Sequence, residues 1–124
     1  AKDGGKKLSA NFTVKEFACK DGSDAVLTAP RLVMVLQSIR SHFAAPVVIH
    51  SAYRTPQYNA EVGGAAHSQH CYGTAADISV RGQTPAAVAA YARELMPDWG
   101  GVGVYAGQGF THIDVRETRS DWTG

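Results

Sequence analysis

A chain of 124 residues is long enough for one domain with a real core and too short for two. Hydrophobic residues make up 44% and charged residues 19%, the balance of a soluble globular protein, and a net charge of +1 leaves no electrostatic footprint for nucleic acid. No apolar run approaches the ~18 residues of a membrane span, and no charged-then-apolar leader marks a signal peptide. The expectation is a monomer without a membrane span, with Cys19 and Cys71 as two free thiols.

In chain order, residues 1–8 are polar, with Gly4-Gly5 and Lys6-Lys7, and read as a flexible N-terminal arm ahead of a single domain over 9–124. Thr13-Val14-Lys15-Glu16 fits a capping box and predicts a short helix ending near Cys19, followed by a turn over 20–24. Thr28 and Pro30 open a second helix, along which Leu32, Val35, Leu36, Ile39 and Phe43 recur at helical spacing and predict a core-facing stripe. A β-branched strand over 46–50 delivers residues 51–54.

Thr55-Pro56 predicts another short helix, closed by Gly63-Gly64, and 65–72 is a loop. A strand over 75–80 places Asp77 and Ser79 on one face and Ile78 and Val80 on the other. Thr84-Pro85 opens a helix to Met96 with Val88, Tyr91, Ala92 and Leu95 inward, and strands over 100–105 and 109–115 form a hairpin through 106–108. Trp122 is expected to pack back on the domain. The sum is α+β, a small antiparallel sheet with helices.

Chemistry concentrates between His50 and Asp77, where His, Arg, Asp and small residues cluster, and reads as one wall of a metal site. His70 and Asp77 lie seven positions apart, roughly 23 Å when extended, whereas two zinc ligands each sit about 2 Å from the metal. The backbone must therefore double back, and Gly73 supplies the permissive position. Near the end, Thr111-His112-Ile113-Asp114 puts His112 and Asp114 on one strand face and offers His112 as the third ligand. With His70, Asp77 and His112 as ligands of one zinc, a fourth position stays open for water, the arrangement of a catalytic site, and points to metal-assisted amide hydrolysis. His42, His50 and His67 are read as non-ligands.

The run Ser51-Ala52-Tyr53-Arg54-Thr55, Tyr58-Asn59, Gly63-Gly64, Ser68-x-His70-x-x-Gly73-x-Ala75-x-Asp77 and Thr111-His112-Ile113 resembles the zinc D-alanyl-D-alanine carboxypeptidase family. The resemblance spans about residues 12–122. It implies the fold shared with lysostaphin-type endopeptidases and the hedgehog domain. It also implies peptidoglycan stem peptides as substrate, with action at the cell wall, periplasmic, extracellular or phage-delivered. By the same resemblance Arg54 faces a substrate carbonyl or carboxylate, for which its fork of donors suits it, and Ser68 hydrogen-bonds substrate backbone or caps its own loop. Tyr53 and Tyr105 are rim residues.

One departure stands out. The carboxypeptidases have a catalytic His two residues before the final ligand and other relatives a Glu three before, but here those positions are Phe110 and Gly109. Asp114 is the nearest replacement as general base. It is equally a partner that orients a ligand imidazole, and an exchange of roles, Asp114 ligating and His112 acting as base, is a third option. The missing acid or base also supports the alternative function, a zinc-stabilised cell-wall or protein binding module without hydrolysis.

Overall fold

The computed structural model of the chain describes residues 7–9, 11–13, 29–52 and 73–124. Two helices form there. Helix α1, Pro30–Phe43, buries Leu32, Val33, Val35, Leu36 and Ile39, as the apolar stripe requires. Its N-cap is Ala29, which contributes no side-chain bond, so Pro30 with its fixed φ does the initiating. Helix α2, Pro85–Leu95, is capped by Thr84, whose Oγ1 accepts from the Ala87 N–H at 3.1 Å.

Seven strands accompany them. A small ladder pairs β1, Lys7–Ser9, with β2, Phe12–Thr13. Lys7 and Leu8, assigned to the arm by their polar surroundings, are thus strand residues, and Thr13 ends β2, while the short helix expected after it lies outside the described residues. The amide of Asn11 donates to Gln37 Oε1 and Gln37 Nε2 donates back to Asn11 Oδ1, at 2.9 and 2.8 Å, which fastens this ladder to α1.

The main sheet contains β3, Val47–Ser51, β4, Ala75–Val80, β5, Gly101–Tyr105, β6, Phe110–Asp114, and β7, Ser120–Thr123. Their order is β3-β4-β6-β5-β7. All neighbours are antiparallel except β5 and β7, which are parallel. The sheet is therefore mixed, because the chain crosses the end of β5 after β6 and returns beside it in the same direction.

Strand alternation divides the two faces. Ala76, Ile78, Val80, Val102 and Ile113 join Leu32, Leu36, Ile39, Val88, Ala92 and Met96 in one core between sheet and helices. The opposite face carries Asp77, His112 and Asp114. The core thus fixes the backbone from behind and leaves the other face to chemistry. The helix expected over 56–62 lies outside the described residues, as do Cys19 and Cys71.

Candidate metal centre

Register brings the site together. Asp77 of β4 stands directly opposite His112 of β6, and Gly103 of β5 stands opposite His112 on its other side. Directly opposed residues of adjacent strands hold their side chains on one face within contact. The consequence is a 2.9 Å contact between His112 Nδ1 and Asp77 Oδ1, with the two residues 8% and 7% exposed.

Asp114 lies two residues beyond His112 on the same face and contacts its other ring nitrogen, Nε2, at 2.8 Å through Oδ2. It is fully buried. Its Oδ1 accepts the Gly101 N–H at 2.9 Å, the Arg116 N–H at 3.1 Å and Arg116 Nε at 2.8 Å, and its Oδ2 also accepts Arg116 Nη2 at 2.6 Å. Burial works to raise the Asp114 pKa, but the bonds from His112 and Arg116 outweigh it and hold the carboxyl well below the usual range. Burial likewise opposes charge on His112, and the bonds to Asp114 and then Asp77 overcome it, raising its pKa. The half-buried Arg116 guanidinium offsets the charge of Asp114, and the His112 ring bridges the two carboxylates, which lowers the cost of burying them.

Small residues make the room. A Cβ on Gly101 would run into the Asp114 carboxylate and approach Arg116 Nε, and one on Gly103 would meet Trp122 Nε1 at 2.5 Å. Gly103 therefore lets the indole cross β5 and come beside His112, ring centroids 5.0 Å apart. Trp122 Nε1 donates to Tyr105 Oη at 2.8 Å, and the Tyr105 ring stacks on Phe110 at 4.5 Å. Tyr105 stands two residues along β5 from Gly103, and so at the rim of the same face.

Of the sequence candidates, Asp77, His112 and Asp114 meet, and Tyr105 is adjacent. Arg54, Tyr53, Ser68 and His70 lie outside the described residues. Gly73 has φ +72°, the left-handed conformation expected of the turn that carries the chain into β4. Among the described residues no three His, Cys, Asp or Glu are grouped so as to hold a metal; Asp114 sits behind His112 rather than beside Asp77. Sequence reasoning did not single out Gly101, Gly103 and Arg116. Their signal is Gly-x-Gly on a strand that pairs with His-x-Asp, followed two positions later by Arg. His42 stacks on Tyr91 at 3.7 Å and His50 Nε2 contacts Ser79 Oγ at 2.8 Å, so both described non-ligand histidines have other partners.

A family model described as Peptidase M15 matches residues 8–114. The chain belongs to the peptidase M15 family. Membership places it among hydrolases of peptide bonds, in agreement with the α+β architecture and the resemblance to D-alanyl-D-alanine carboxypeptidases. No curated protein matches the chain. Among the described residues of this M15 member, no helix is long and apolar enough to cross a membrane.

Of the three expected ligands, the described residues present two, Asp77 and His112, side by side. An ionised carboxylate can only accept, so the bond to Asp114 puts a proton on Nε2 of His112. Nδ1 is then the nitrogen that faces Asp77, and the bridging proton there occupies a place that a cation can take instead.

Proposed function

We propose that this M15 member is a zinc metallopeptidase of peptidoglycan stem peptides, of carboxypeptidase or endopeptidase type, with one zinc held by His70, Asp77 and His112. The observation that carries the reading is the cross-strand contact of Asp77 Oδ1 with His112 Nδ1, with Nε2 of the same ring tied to Asp114. Zinc, when bound, acts as a Lewis acid on the scissile carbonyl and lowers the pKa of water toward ~7.

The chain's own residues do the rest. Asp114, engaged by five donor groups, is assigned to orienting His112 rather than to accepting a proton from water. Arg54 binds the substrate carbonyl or terminal carboxylate through its fork. Tyr105 Oη already accepts from Trp122, which leaves its own proton to donate to a substrate acceptor at the rim; by the family resemblance, Ser68 hydrogen-bonds substrate and Tyr53 is a further rim residue. The domain, which includes β1 from Lys7, works as a monomer at the cell wall, periplasmic, extracellular or phage-delivered.

Metal analysis tests the ligand set. One zinc per chain is expected, with His70→Ala, Asp77→Ala and His112→Ala each sharply lowering occupancy, because affinity depends on every ligand. Full occupancy in any one of them removes that residue from the set. A second reading, a zinc-stabilised module that binds wall peptides without cutting them, is favoured by Gly109 and Phe110 at the positions of the family's acid or base and by the fully engaged carboxylate of Asp114. It predicts stem-peptide binding with no release of amino groups.

A further inference from the structure

The family match ends at Asp114, yet the next residues close around the site. Arg116 grips the Asp114 carboxylate with Nε on one oxygen and Nη2 on the other, the paired geometry only a guanidinium provides. Its backbone is fixed as well, since its carbonyl accepts the Gly100 N–H at 2.8 Å and its own N–H reaches Asp114. The guanidinium carbon lies 5.2 Å from the Trp122 ring, on the strand that runs parallel to β5. Gly101 leaves the space in which this grip forms.

We infer that Arg116 is a positioning residue that fixes the ring orientation and tautomer of His112 through Asp114, with Trp122 holding the guanidinium from its outer side. Without the fork, Asp114 would keep, besides His112 itself, only the Gly101 and Arg116 backbone donors, both on Oδ1. Oδ2 is the oxygen that meets His112. Losing Arg116 Nη2 therefore frees the carboxylate to rotate about the bond that sets where Oδ2 points. The ring nitrogen facing Asp77 is then no longer determined.

This inference deepens the zinc reading and rests on it, and two readouts keep them separable. In Arg116→Met, zinc affinity measured by chelator competition should fall on the order of 10–100-fold, the weight of lost outer-sphere partners. The NMR resonance of the His112 Nε2–H, read in the zinc-free protein, should be present in the wild type and lost or exchange-broadened in the variant. Arg116→Lys keeps the charge without the fork and should recover only part of both; if Arg116→Met does not fold, the partial loss in Arg116→Lys decides. Unchanged zinc affinity together with an unchanged His112 resonance in a folded variant would overturn the inference. A wild-type chain that binds no zinc would refute the peptidase reading instead, while the resonance still judges Arg116.

Discussion

An ionised carboxylate offers about four acceptor sites, and the donors gathered around Asp114 fill them. Proton acceptance from water would require breaking one of those bonds inside a fully buried group. Asp114→Asn should therefore weaken zinc binding about 10–100-fold and regain activity as zinc is added. A base at Asp114 would instead leave zinc bound and lower hydrolysis by about 10²–10⁴-fold, so kinetics at saturating zinc separate the two. His112 supports a second prediction, for the chelated protein. Its folded pKa is raised despite burial, through Asp114 and Asp77, so its pairing stabilises fully below the unfolded value near ~6.5 and is lost as pH rises through the folded value. Thermal unfolding of chelated wild type should show that alkaline loss, and chelated His112→Gln should not; the same pH dependence in both would mean that the imidazole is not charged there.

At the scale of elements, the helices were legible because their signals are local. Pro30 with the stripe from Leu32 to Ile39, and Thr84-Pro85 with Val88 and Ala92, need only the helical period and a cap. Strand β7 was not legible as a strand, since parallel pairing to β5 depends on where the chain returns and not on the composition of 120–123. Gly101 and Gly103 illustrate the same limit. Their place in a strand is readable, but their purpose depends on Asp114 and Trp122, side chains that only the register brings opposite. Gly103→Ala would force the indole away from β5 and should cost about 1–3 kcal/mol, the usual range for overpacking. Denaturant unfolding checks it, and wild-type stability would mean that Trp122 moves aside freely.

For the molecule as a whole, the sheet converts distance along the chain into contact. Asp77 and His112, 35 residues apart, become direct cross-strand partners, while the helices pack the opposite face and hold the strands in place. Asp77 and His112 were legible as members of one site from residue type and motif, and they are found in contact. The saturation of Asp114 was not, since its donors include backbone groups that no sequence pattern announces. If Asp77 and His112 bind zinc only in the folded chain, free zinc at a hundred times its dissociation constant should add ~2.7 kcal/mol to stability. Calorimetry with and without chelator reads that, and an unmoved transition would argue against a native zinc site.

The most direct measurement of the central claim is mass spectrometry of defined stem peptides incubated with the zinc-loaded chain, with chelator, and with Asp77→Ala. The account predicts a cleaved peptide with a new amino group, abolished by chelator, restored by zinc and absent with Asp77→Ala. Intact peptides across neutral pH, with zinc bound and the peptide held, would contradict it and establish the binding module in its place.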